Sequence, residues 1–128
     1  MSDKRNITRE ILPTAIKYPF EKDYNKENVE ICYARKCWGM RTSLINEVHW
    51  SEIVDDWKYV ADKPAQIIEM IEVVASWLDE ERWEDEGSSI WTYQEAQHNL
   101  INWIINLALI INFLENNPDC YLEFYDSY

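Results

Sequence analysis

The sequence predicts an all-α fold: a single-domain bundle of about five helices, covering residues 1–128, around a long hydrophobic helix near the C-terminus. Three observations lead there. Two glycines and four prolines in 128 residues are too few for a loop-rich β-sandwich or barrel. Apolar residues recur at helical spacing through most of the chain. Between Ala96 and Leu114 no formally charged residue occurs, which suits a helix surrounded by others. A hydrophobic content of 47% argues against intrinsic disorder despite the net charge of −12.

The elements follow in chain order. A short first helix is expected over about Thr8 to Lys17, with Pro13 starting its second half or kinking it. A second is expected from about Asn28 to Trp38, placing Val29, Cys32, Tyr33 and Cys37 near one face and stopping at Gly39. The third, about Ser43 to Ala61, sets Leu44, Val48, Ile53, Trp57 and Val60 along a rough stripe. Asp62 then reads as an N-cap and Pro64 as the first turn of a fourth helix. That helix points Ile67, Ile68, Ile71, Val74, Ala75 and Leu78 inward and runs on through an acidic end to Gly87. The fifth begins at a capping box, "TYQE", with Thr92 as N-cap, Glu95 reaching back, and Trp91 positioned to staple onto Ala96. It ends near Asn116, where "NNP" stops it. The tail from Cys120, "CYLEFYDSY", alternates loosely, as a short extended segment or surface chain does.

The uncharged stretch is long enough to test as a membrane span. Gln97, His98, Asn99, Asn102, Asn106 and Asn112 interrupt it, and no Lys or Arg follows Arg82 to anchor its flanks. The expectation is no membrane. The N-terminus, "MSDKRNITRE", lacks the apolar core of a secretory signal. Three cysteines, Cys32, Cys37 and Cys120, form no CxxC and no regular framework, so reduced thiols in a cytoplasmic protein are expected.

Catalytic chemistry finds little to work with. Gly39 and Gly87 stand too far apart for a phosphate-cradling loop. "EAQH", Glu95 to His98, has the Glu-x-x-His spacing of di-iron bundles, but no second copy exists and Glu95 already belongs to the capping box. No GxSxG occurs, and carboxylates are too abundant for any one pair to suggest a glycosidase. The expectation is therefore no enzyme, no metal and no cofactor. Direct nucleic-acid binding is also not expected, because the charge would repel phosphate.

The charge is segregated. Residues 1–46 carry nine Lys/Arg against six Asp/Glu; residues 47–95 carry three against fourteen. Its densest part is "WLDEERWEDEG", Trp77 to Gly87, with six acids and one base. Like charges at helical spacing repel, and Glu84, Asp85 and Glu86 would sit where a helix prefers cations. Stability alone would not select that arrangement. One reading is a solvated helix end; the other is an edge shaped for a positively charged partner. The aromatics bear on the choice, since Trp and Tyr anchor interfaces while acids steer. Trp57, Trp77 and Trp103 are expected in the core, whereas Trp83 and Trp91 flank the acids and are candidates for exposure and contact. The candidate partner-binding residues are Glu72, Asp79, Glu80, Trp83, Glu84, Asp85, Glu86, Trp91 and Tyr93. Asn99, Asn102 and Asn106 share one face of the last helix, either as a hydrogen-bonding or solvated stripe or as a groove for a partner's loop.

In size, acidity and the run "WLDEERWEDEGSSIWTYQE", the chain resembles the helical immunity proteins of bacterial contact-dependent growth inhibition. That resemblance implies a cytoplasmic protein that binds a cognate toxin domain, often a basic nuclease, and blocks it. Two other readings fit the same features: a phage-type nucleic-acid mimic that inhibits a restriction or CRISPR nuclease, and a non-catalytic helical adaptor.

Overall fold

The computed structural model describes residues 36–55, 58–88 and 90–126, together with the backbone of Arg5–Asn6. The helices expected over Thr8–Lys17 and most of Asn28–Trp38, and the core role expected for Trp57, lie outside the described residues.

The fold is mixed α/β, which corrects the all-α, five-helix expectation. Among the described residues there are four helices and one sheet. In order they are β1 (Arg5–Asn6), α1 (Trp38–Glu47), β2 (Glu52–Val54), β3 (Lys58–Ala61), α2 (Pro64–Ser76), α3 (Glu80–Glu86), α4 (Tyr93–Asn116) and β4 (Cys120–Tyr125).

The first departure lies in the third expected helix. Gly39 does not stop a helix; it sits in the first turn of α1. That helix ends at Val48, whose backbone is extended, and the chain turns into the β2–β3 hairpin. Glu52 faces Val60, Ile53 faces Tyr59, and Val54 faces Lys58. The stripe Leu44, Val48, Ile53, Trp57, Val60 fits a helix poorly, and Ile53, Val54, Tyr59 and Val60 favour the pleated backbone. Asp55, with φ at 55°, takes the left-handed turn that Asp tolerates better than most residues. Burial then follows a period of two, with Tyr59 and Ala61 buried and Lys58 and Val60 half-buried.

The tail, expected as a short extended segment or surface chain, is extended; what departs from the all-α expectation is that it supplies an inner strand. The sheet order is β1-β4-β3-β2, so the last strand in sequence lies between the first and the third. β4 runs antiparallel to β3 and parallel to β1. One face carries Leu122 and Phe124 onto the core, where Phe124 stacks on Trp50 at 5.6 Å between ring centroids. On the other face Lys58 Nζ reaches Glu123 Oε2 at 2.9 Å, and this carboxylate raises the lysine above its ordinary pKa. Arg41 on α1 pairs with Asp126 just beyond the strand at 3.2 Å.

The helical layer is α2 against α4. Ile67, Met70, Val74 and Trp77 meet Ala96, Leu100, Trp103, Leu107 and Ile110, all buried. Pro64 occupies the first turn of α2 as expected, but the N-cap is Lys63 and not Asp62. Gln66 Oε1 accepts from the N–H groups of Asp62 and Lys63 at 2.8 and 2.9 Å, and its amide donates to the His49 carbonyl at 2.6 Å. Asp62 instead accepts the Ser51 hydroxyl at 2.6 Å. Ile68 and Ala75, expected inward, face outward.

The α4 capping box forms as the sequence predicts: the Glu95 N–H donates to Thr92 Oγ1 at 3.2 Å and the Thr92 N–H to Glu95 Oε1 at 3.0 Å. The Thr92 N–H bond to the Glu95 carboxylate lowers the pKa of Glu95 most, with a further lowering from the Thr92 side chain. A depressed carboxyl pKa contributes stability above the ordinary carboxylate range, which is lost as the pH falls through the folded value. Thr92→Ala is expected to cost about 1 kcal/mol of unfolding free energy, measured by urea titration. The 24 residues of α4 make a rod of about 36 Å. It is not covered all round as expected: Ile101 and Ile105 are exposed, and of the asparagine stripe Asn106 is fully buried while Asn99 and Asn102 are half-exposed. No helix among the described residues is long and apolar enough to cross a membrane.

Candidate functional site

The acidic run does not extend α2. After Ser76 the chain makes a tight turn, with the Trp77 N–H bonded to the Val74 carbonyl and that of Leu78 to Ala75. Asp79 then caps a separate helix, its carboxylate accepting from the N–H groups of Glu81 at 2.9 Å and Arg82 at 3.3 Å. This corrects the reading of one continuous helix through to Gly87, and it changes the electrostatics. Asp79, Glu80 and Glu81 sit at the N-terminus of α3, where a helix favours negative charge. Glu84, Asp85 and Glu86 remain at its C-terminal end, with no basic residue in the last turn.

Asp79, Glu80, Glu81, Glu84, Asp85 and Glu86 are all exposed, and none makes an ion pair among the described residues. The one base in the run, Arg82, faces inward. Its guanidinium lies 3.9 Å from the centre of the Trp77 ring and donates to Ser76 Oγ at 2.8 Å and Ser43 Oγ at 3.3 Å. It joins α3 to α2 and α1, and it also borders a surface depression with Asp79, Glu81, Asp85 and Glu86 without forming an ion pair there among the described residues.

The aromatics divide differently from the expectation. Trp83 is buried at 3% exposure, edge-on to Trp77 and stacked on Trp91 with 6.0 Å between centroids. Trp91 is half-buried and packs on Trp83. Tyr93 donates its hydroxyl to the Leu78 carbonyl at 2.7 Å, tying the start of α4 to the α2–α3 turn. The three aromatics therefore support the acidic helix from beneath. Glu72 is exposed on α2 and makes no hydrogen bond or ion pair with α3 among the described residues.

Trp38, which sequence reasoning missed, takes the exposed position. It is 49% exposed at the start of α1 and shares a shallow groove with the end of α3, from Trp83 to Ser88. Gly87 lines this groove, and Gly39 sets the approach of α1 to α3 beside it. A Cβ on Gly39 would lie 2.5 Å from the Glu86 carbonyl oxygen and 2.7 Å from the Trp77 ring, so only glycine lets α1 approach α3 here. At Gly87 a side chain would collide with the Trp83 ring and carbonyl. Ser88 completes the contact. Its hydroxyl accepts from the N–H groups of Ile90 and Trp91 at 3.0 and 3.3 Å. Burial raises the pKa of the Cys37 thiol, with a smaller opposing effect from its hydrogen bond to Ser88. The glycines' isolation in sequence was the available signal, but it does not show that one lines this groove and the other sets the approach beside it.

The remaining chemistry stays dispersed. Among the described residues no group of three His, Cys, Asp or Glu side chains gathers to hold a metal ion. His98 is exposed and contacts Asn102 at 3.3 Å, while Glu95 belongs to the cap. Cys37 and Cys120 are buried thiols.

Comparison with known proteins brings no match: no protein-family model, no curated protein and no solved structure is similar to the chain.

Proposed function

We propose that this protein is a non-catalytic, cytoplasmic immunity protein that binds and neutralises a cognate nuclease-type toxin domain through the acidic edge of α3. The observation that carries this reading is the row of six exposed carboxylates, Asp79 to Glu86, none in an ion pair among the described residues, on a helix that packs through Trp83 on Trp77 and Trp91. An unneutralised field on a rigid support attracts a basic surface, and nucleases are basic where they grip phosphate. The mixed fold removes helicity from the resemblance to contact-dependent immunity proteins, so charge and scaffold alone support the proposal. The same field argues against direct nucleic-acid binding.

The test is capture of the polypeptide encoded by the neighbouring open reading frame, followed by association kinetics at rising ionic strength. Binding is expected to be selective, with an association rate falling about tenfold or more between about 50 mM and about 500 mM salt. Indifference to salt would remove the steering argument. Competition with DNA for many unrelated basic proteins would favour the nucleic-acid-mimic reading.

A further inference from the structure

We propose that the outer face of α4 is a self-association surface, on which a second copy of this chain docks antiparallel with the two-fold axis near Ile105. The inference does not depend on the immunity reading.

From Gln97 to Asn112 the exposed residues of α4 are Gln97, His98, Ile101, Ile105, Ala108 and Asn112. Ile101 and Ile105 are 43% and 49% exposed, and the half-buried Ile104 and Leu109 flank them. Single exposed isoleucines are ordinary on a protein surface. These are not scattered: His98, Ile101, Ile105, Ala108 and Asn112 follow one another at intervals of three, four, three and four residues. That is the spacing of the seam along which two helices pack side by side.

Two observations select a second copy as the occupant. The first is charge. At a net charge of −12, like copies repel unless they meet where neither is charged. Exposed acids lie on α1 at Glu47, on α2 at Glu72 and along α3, whereas α4 carries no carboxylate, lysine or arginine from Gln97 to Asn112. A basic partner would find nothing to pair with on this face. The second is symmetry, because a two-fold contact needs a surface complementary to itself. Reversing the seam about Ile105 brings the large Ile101 of one copy level with the small Ala108 of the other. It also sets Ile105 against its own copy, and it places the imidazole of His98 beside the amide of Asn112, where the two can hydrogen-bond.

The area sets the strength of the contact. The uncharged stretch from Ala96 to Leu114 is roughly 28 Å long and about 10 Å wide, well under the about 800 Å² per partner of a standard interface. The dimer is therefore a weak one, populated near about 1 mM and not near about 10 µM.

The test is sedimentation equilibrium of the full chain across that concentration range, at about 50 mM and about 500 mM salt. A monomer–dimer equilibrium is expected, tightening about tenfold or more as salt screens the repulsion between copies. Capture of the toxin domain is expected to respond to salt in the opposite direction, so either reading can fail without the other. Ile105→Gln, at an exposed position counted twice in the pair, is expected to weaken the dimer about tenfold or more with an unchanged circular dichroism spectrum. Ile53→Gln, at an exposed apolar position on β2, is expected to leave the dimer intact.

A chain that stays monomeric near about 1 mM at about 500 mM salt would overturn the proposal. So would a dimer that Ile53→Gln weakens as much as Ile105→Gln, since the association would then be unspecific. Loss of toxin capture in Ile105→Gln, with no self-association of the parent chain, would give this face to the toxin domain and overturn the proposal as well.

Discussion

Trp77→Ala is expected to lower the unfolding free energy by about 3–5 kcal/mol, within the range for removing a large aromatic from a core. Trp77 is 1% exposed and joins three elements at once. Trp83 of α3 packs on it edge-on at 6.4 Å, Arg82 lies across its ring, and Gly39 of α1 is held close to its Cη2. Deleting the ring leaves a cavity that three backbones would have to move to fill. No hydrogen bond is lost, because the indole N–H has no partner among the described residues, so the cost is packing and the cation–π contact. Domains of this size are stable by about 5–15 kcal/mol, so a large part of the total is at stake. Urea unfolding followed by far-UV circular dichroism gives the measurement, with Trp77→Phe expected to retain more than half of the difference. A loss for Trp77→Ala below about 1 kcal/mol would mean that α1, α2 and α3 do not share this centre.

Changing Glu84, Asp85 and Glu86 together to lysine is expected to slow association with the cognate basic domain by roughly 10- to 1,000-fold, the span that electrostatic steering covers. The difference should shrink at about 1 M salt, where the Debye length is about 3 Å. Stability should move the opposite way. Lysines in the last turn of α3 complement the helix dipole, where each favourable charge contributes about 0.3–1 kcal/mol. A variant that is as stable as the parent, or more so, yet captures its partner slowly would show that these acids serve binding. A variant that unfolds would show that they are structural, and unchanged association would remove α3 from the interface.

Much of the chain is legible where the cause is local. Thr92 and Glu95 start α4 through bonds only three residues apart, and Pro118 lies just beyond the helix end, so both boundaries read directly. Pro64 opens α2 for the same reason. Leu44, Val48, Ile53 and Val60 loosely satisfy a helical period and so mask the hairpin, whose turn begins at the left-handed Asp55. The α2–α3 break was hidden because Trp77 and Leu78 continue the apolar pattern straight into the acids. Only the Asp79 cap marks a new start, and an Asp among five other acids carries little contrast. The charged neighbours of Trp83 suggest a surface anchor, yet it is the buried residue of the seven-residue α3 and packs on both Trp77 and Trp91.

Composition and local chemistry were enough to establish the long α4 with its cap, the concentration of negative charge before residue 96, and the identity of the acids on α3. These depend on residue types and on bonds a few positions apart. The inner placement of β4, the burial of Trp83 and the pairing of Trp38 with Glu84–Glu86 depend on contacts between residues tens of positions apart in the chain. Such contacts form because apolar surface from several elements leaves water together. No periodicity within a single segment encodes which segments will meet.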